Sequence, residues 1–285
     1  GSYAVAVTDA NGCPAACNFS INIIACETKL GIMQGNTLSL CGVGCLSANY
    51  NPVGEFLEPG DVLQFILHEG AGTQIVNEIA RSTDPTFCFD AATMTYGATY
   101  YISAAAGNDD GTGNVVLSHY CTVVAAGTPI VFQQKPVATA SQPGPLNCAV
   151  QQVPIAGTSD IPGSTFAWST LGGQIIGSTS LASITAGAAG TYTLIVGANG
   201  CADTAVVQVL DISNAPQATI VANPSGILDC GITEIVLTGG VEGSSDANSV
   251  WLYNGNTYAA GTVLTISAPG NYSFVILDTL TQCSD

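Results

Sequence analysis

Apolar and polar residues alternate in short runs along the chain, and the clearest run occurs three times. Gly190-Thr191-Tyr192-Thr193-Leu194-Ile195-Val196 matches Gly270-Asn271-Tyr272-Ser273-Phe274-Val275-Ile276, and both match Gly1-Ser2-Tyr3-Ala4-Val5-Ala6-Val7. In each, the Tyr and the residues two and four positions beyond it are apolar, so a period of two puts them on one face of a strand. A turn and then a Cys follow: Asp9-Ala10-Asn11-Gly12-Cys13, Ala198-Asn199-Gly200-Cys201, and the more divergent stretch from Asp278 to Cys283. Asn-Gly favours a type I′ hairpin turn because both residues tolerate positive φ. A further strand such as Ala205-Val206-Val207-Gln208-Val209 comes next, so strand, tight turn, strand is expected to close each module. No stretch sustains helical periodicity over ten residues. The chain is expected to be all-β.

The repeat extends beyond this strand. Cys148, Trp168, Tyr192 and Cys201 recur as Cys230, Trp251, Tyr272 and Cys283, at offsets of 82, 83, 80 and 82. Such a period, with a Cys…Trp…Tyr…Cys order, predicts tandem immunoglobulin-like β-sandwiches, and 285 residues suit about three of them. Residues 1–25 are expected to be the closing strands of a module whose body lies upstream. Residues 26–133 form a longer, divergent sandwich, 134–213 a second, and 214–285 a third that lacks its last strand. In the divergent module the strands are expected at Leu38–Cys41, Val62–His68, Gln74–Ile79, Thr99–Ala104 and Asn114–Val124, with Tyr100 and Ile102 echoing the Tyr strand. Pro136, Pro143 and Pro216 lie near the junctions, where proline stiffens a linker.

Composition narrows the function classes. Three basic residues, Lys29, Arg81 and Lys135, face twenty acidic ones, for a formal charge of -17. Nucleic-acid binding needs clustered Lys and Arg, so no nucleic-acid partner is expected. No apolar run approaches the ~18 residues of a membrane helix, and no membrane insertion is expected. Charged residues make up only 8% of the chain, leaving a surface of Ser, Thr, Asn, Gln, Gly and Ala that suits a filament or surface layer.

Eleven cysteines without a metal-type C-x-x-C pair argue for disulfides in an oxidising compartment. The repeat suggests Cys148–Cys201 and Cys230–Cys283 bonds, with Trp168 and Trp251 packed beside them. The Tyr lies nine or eleven residues before the second Cys, against two in antibody domains, so the bridge must reach the last strand or its turn. Cys13 is expected to bond a cysteine upstream of residue 1. By analogy with the later modules Cys121 pairs with Cys41 or Cys45, Cys45 being preferred. The pairing of Cys17, Cys26, Cys41 and Cys88 stays open.

Chemistry is sparse. His68 and His119 stand alone in strand-like runs and are expected on a sheet surface. No Gly-x-Ser-x-Gly elbow supports a nucleophile, and Thr238-Gly239-Gly240 lacks the Lys and helix of a phosphate loop. No catalytic residues are expected. The run Asn108-Asp109-Asp110-Gly111-Thr112-Gly113-Asn114 spaces oxygen donors as calcium prefers, with Asn108, Asp109, Asp110 and Asn114 as candidate ligands. It is not an EF-hand, because the closing Glu and the flanking helices are absent.

The Gly1 to Cys13 string resembles repeats of giant Bacteroidetes surface proteins, including gliding adhesins and proteins with PKD-like or immunoglobulin-like modules exported by type IX secretion. Leu57-Glu58-Pro59-Gly60-Asp61-Val62-Leu63-Gln64-Phe65 and Gly107 to Asn114 are similar to repeats in very large proteins of the Saprospiraceae type. The resemblance touches every module and implies an extracellular, cell-surface filament or adhesin of the gliding or grappling-hook kind. It further implies O-glycosylation at Asp-Thr-apolar motifs, here Thr204 and Thr279. The expected partners are other copies of the chain and cell-surface glycans or a substratum. The alternative is a carbohydrate-binding or accessory module of a large secreted enzyme, which needs exposed aromatics along one face.

Overall fold

In the computed structural model, which describes residues 2–20 and 25–285, the first strand pair forms around an Asp-closed turn. Strand β1 (Ser2–Thr8) pairs antiparallel with β2 (Pro14–Ser20), Thr8 opposite Pro14. The Asp9 carboxylate accepts the Asn11 and Cys13 amides at 2.8 and 2.9 Å, and Gly12 turns at φ +82°. This is a five-residue turn rather than the two-residue type I′ turn expected from Asn11-Gly12. Val5 and Val7, on one face of β1, are 53% and 61% exposed. The part of the first module assigned to residues 21–24 lies outside the described residues. The chain divides into two compact units, residues 1–134 and 135–285.

In the first unit the remaining strands are β3 (Ile32–Met33), β4 (Leu38–Cys41), β5 (Cys45–Ser47), β6 (Tyr50–Asn51), β7 (Asp61–His68), β8 (Glu78–Ser82), β9 (Thr86–Cys88), β10 (Thr99–Asn108), β11 (Val123–Val124) and β12 (Thr128–Gln133). The main sheet runs β4-β12-β10-β7-β8, with β4 parallel to β12 and β11 added to β10. Short pairs β3-β6 and β5-β9 supply the facing layer, and Phe65, Leu67, Tyr100, Ile102 and Phe132 fill the core between. A second, small cluster of Ile66, Ala105 and Val115 covers the outer face of the sheet. That cover explains two departures from expectation. Residues 114–122 run over the sheet instead of forming a strand, only Val123–Val124 of the expected run pairs, as β11 with β10, and the strand that completes the sheet is β12.

The second unit holds two sandwiches. The first uses β13 (Ala138–Ala140), β14 (Val153–Ser159), β15 (Thr165–Leu171), β16 (Gln174–Ile176), β17 (Ser183–Ala188), β18 (Gly190–Ala198) and β19 (Cys201–Val209). Its sheets are β13-β14-β17-β16 and β15-β18-β19, the four-plus-three order of a constant-type immunoglobulin domain. Asn199 and Gly200 both have positive φ, 53° and 77°, as a type I′ turn between β18 and β19 requires. The second uses β20 (Gln217–Asn223), β21 (Ile235–Glu242), β22 (Ala247–Tyr253), β23 (Asn256–Ala260), β24 (Val263–Ile266) and β25 (Tyr272–Asp278), in sheets β20-β21-β24 and β23-β22-β25. Trp168, Tyr192, Leu194 and Val196 anchor one core, and Trp251, Phe274 and Ile276 the other. The described residues contain no helix. The fold is all-β, built of tandem immunoglobulin-like sandwiches.

The repeated Tyr has a second role, at the entry to its strand. The Tyr192 hydroxyl donates to Ala188 O at 2.7 Å and accepts the Gln174 amide at 3.0 Å. Tyr272 donates to Ala268 O at 3.1 Å, again four residues back. This is a tyrosine corner, which locks the crossing from one sheet to the other.

Candidate functional site

Two loops of the second unit meet at a disulfide. Between β13 and β14, the Asn147 side-chain oxygen accepts the Ala149 and Val150 amides, and the Asn147 amide reaches Val150 O. That closed loop presents Cys148 outward. After β25, the Asp278 carboxylate accepts the Leu280 and Thr281 amides at 2.8 Å each, and the Asp278 amide bonds Cys283 O. That turn presents Cys283. The two sulfurs are bonded, with Cα atoms 5.0 Å apart, and the Cys148 amide donates to Thr281 O at 3.1 Å. A start-of-module loop is thus joined to the closing turn of the next module. An open cleft of about 590 Å³ runs beside it, past Leu146, Gln174, Ala188 and Asp211. Its one carboxylate, Asp211, is turned onto the amide and hydroxyl of Ser213, which hold it below the usual carboxylate range.

These bonds correct the expected pairing. Cys148 joins Cys283, not Cys201, and Cys230 carries a free, exposed thiol. Within-module and cross-module pairings draw on the same repeated positions, so the period could not separate them. Cys201 is also disulfide-bonded, as is Cys41. Cys121 bonds Cys26 across a separation of 95 residues, and Cys45 bonds Cys88, the residue directly opposite it in the β5-β9 pair. Cys45–Cys121 is therefore overturned, because β5 faces β9 and not the loop before β11. Cys13 and Cys17 are free and exposed. Trp168 and Trp251 pack among side chains with no cystine in their clusters: Trp168 donates to Leu181 O, and the Trp251 ring lies 4.8 Å from Phe274.

The acidic loop of the first unit closes on itself. Asp109 accepts the amides of Gly111 and Gly113, and Asp110 accepts the hydroxyl and amide of Thr112 and the amide of Asn114. The Thr112 hydroxyl, followed by its amide, holds the Asp110 carboxyl below its ordinary range. Buried Gln64 clamps the loop from beneath, donating to Asn114 Oδ1 and accepting the Val115 amide, both at 2.9 Å. Arg81, paired with Glu78, donates to Val115 O at 2.8 Å. Asn108 ends β10 in the ladder opposite Asp61. Among the described residues no group of three or more His, Cys, Asp or Glu side chains converges on one point.

His68 is not on a sheet surface. It is fully buried, with Nε2 2.9 Å from Ser103 Oγ and Nδ1 without a partner. Burial pushes its pKa down, against a smaller upward pull from Glu78. His119 is half-buried against Tyr120, and its Nδ1 accepts the Cys121 amide. Thr204 is exposed on β19, and the preceding Asp203 pairs with Lys135 at 2.7 Å. Thr279 is exposed too, but its hydroxyl donates to Asp246 O. One aromatic group went unnoticed in the sequence. Tyr253, Tyr258 and Tyr272 cluster on the β23-β22-β25 sheet with ring centroids 4.9–6.2 Å apart, Tyr258 being exposed.

No family model and no curated protein matches this chain. Solved structures do. Extracellular domains 3–5 of Drosophila OTK are similar at 10% identity, over 90% of this chain and 94% of that one, with a TM-score of 0.30. Immunoglobulin domains 1–5 of Sidekick-1 are similar at 13%, over 100% and 65%, with a TM-score of 0.31. The I67–I69 fragment of the titin I-band is similar at 10%, over 89% and 94%, with a TM-score of 0.36. Likeness at this level adds nothing to what the strand order already states. Among the described residues no helix is long and apolar enough to cross a membrane.

Proposed function

We propose that this chain is a structural and adhesive segment of a long secreted cell-surface filament, non-catalytic and assembling with copies of itself. The observation that carries the reading is the Cys148–Cys283 bond, which ties one sandwich to the next instead of stapling each internally. Oxidised cysteines, an acidic surface with 8% charged residues and a Ser-His contact sealed inside a sheet all fit a scaffold better than an active site. Secretion by the type IX route and O-glycosylation at Thr204 and Thr279 belong to the same reading.

A second reading, a glycan-binding module, is favoured by the Tyr253, Tyr258 and Tyr272 cluster, because sugar faces stack on exposed rings. Electron microscopy of the native secreted material tests the two together. Ropes or tubes of many copies are expected. Isolated particles that sediment with cell-wall polysaccharide would overturn the filament reading in favour of the second.

A further inference from the structure

We infer that mild acid lifts residues 110–118 off the main sheet of the first unit, through contacts that run from His68 to Glu78, Arg81 and Val115. This holds for the single chain and does not rest on assembly. The strand register carries it. On the outer face of the sheet, Glu78, His68 and Tyr101 form one row across β8, β7 and β10. Arg81, Ile66 and Ser103 form the next. Val115 and Leu117 pack over that face, against Ile66 and Ala105.

His68 is fully buried in this layer, with Nε2 on Ser103 Oγ and Nδ1 without a partner. Gly127 stands so close to Ser103 that a Cβ would come within 2.5 Å of the hydroxyl, so the pocket has no slack on that side. A protonated imidazole has two donors and a charge, and a buried charge needs an opposite one beside it. Few groups can supply it. Glu78 faces His68 from β8, and its charge already favours the protonated ring, against the larger effect of burial. Glu69 follows His68 in the chain but accepts Asn77 Nδ2 at 2.8 Å. Tyr101 lies across on β10, ring centroids 6.1 Å apart. Residues 70–77, 115–118 and 125–127 contain no titratable side chain.

Glu78 is already in use. Its two oxygens accept Arg81 Nε and Nη2, and Arg81 Nη1 donates to Val115 O at 2.8 Å. Turning Glu78 to an imidazolium takes it from Arg81 and leaves two cations in adjacent rows. Arg81 then moves from Val115 O toward Asp110, the other carboxylate whose charge reaches it. Gln64 still holds Asn114 Oδ1 and the Val115 amide from beneath. The release is therefore local, and the sheet below stays folded.

Hydrogen exchange on the whole 285-residue chain tests this from about pH 7.5 to about pH 5.5, the range in which imidazole ordinarily titrates. Each rate is referred to the intrinsic rate at its own pH. Protection across 110–118 should fall by up to about tenfold per pH unit below about 6.5, while β10 and β12 keep theirs. His68→Gln, which can still reach Ser103, should abolish the fall. Arg81→Met removes the clamp and should show low protection across 110–118 at neutral pH, with no further loss in acid. This half-buried position decides the matter if the core variant does not fold. His119→Gln should behave as the parent chain does. A flat profile in the parent, an equal loss in β10 and β12, or an unaltered fall in His68→Gln would each overturn the relay. So would parental protection at neutral pH in Arg81→Met, or a fall abolished by His119→Gln.

Discussion

His68 sits where β7 is covered on both faces, sharing one face with Ile66, and its burial keeps the imidazole neutral. The folded pKa is depressed, so the unfolded chain takes up the proton first as pH falls. The stability contribution is therefore complete above the unfolded value of about 6.5 and is lost as pH drops below it, at up to about 1.4 kcal/mol per pH unit. His68→Gln, which can still reach Ser103, should flatten the fall in Tm between pH 7 and pH 5; an unchanged slope would show that His68 does not titrate with unfolding. Sequence placed this histidine on a surface because alternation implies one wet face, whereas the last five residues of β7 are all buried. Gly157 and Gly239 were equally silent. They stand one module apart, and a Cβ on Gly239 would come within 2.4–2.6 Å of the Phe274 ring. On Gly157 it would come within 2.5 Å of Leu194. Each glycine makes room for the same position of the Tyr strand.

The Tyr strand shows what alternation can deliver. Tyr192, Leu194 and Val196 are buried together, as a period of two requires, and Phe274 and Ile276 repeat them. The corner that starts the strand was not legible, since its partner is a main-chain carbonyl that any residue could supply. Tyr192→Phe should cost about 1–2 kcal/mol, leaving Ala188 O and the Gln174 amide without their partner. Chemical denaturation would measure it, and a loss under a few tenths of a kcal/mol would demote the corner to packing. In the first unit the apolar spacing of 114–124 reads as one strand, yet Val115 and Leu117 pack over the sheet and only Val123–Val124 joins it, as β11. Burial set the apolar pattern there, and the Cys26–Cys121 bond holds the loop down.

Across the whole molecule, charge and sulfur act on different lengths. Arg81 and Lys135 are spent on internal pairs with Glu78 and Asp203, leaving a surface with little positive charge to attract a neighbour. Covalent bonds then carry the order between modules. The Cys148–Cys283 bond closes a span of 135 residues, worth up to about 5 kcal/mol in the chain-entropy description. Cys148→Ser should lower the calorimetric Tm of the second unit and leave that of the first unchanged. Equal shifts in both, or none, would deny the bond that role. The repeated Trp and Tyr of the two cores in the second unit were readable from the period, but the choice of disulfide partner was not, because it depends on which loops fold toward each other.

Every strand from β14 to β25 lies between the two cysteines of that bond. A pull applied at the chain just before Cys148 and just after Cys283 would therefore run along a load path of one sulfur–sulfur link. The hydrogen-bonded sheets in between would carry none of it. They could stretch only after the link had been reduced, so under traction the redox state of one cystine, and not the strength of either core, would set how far this part of the molecule can be drawn out.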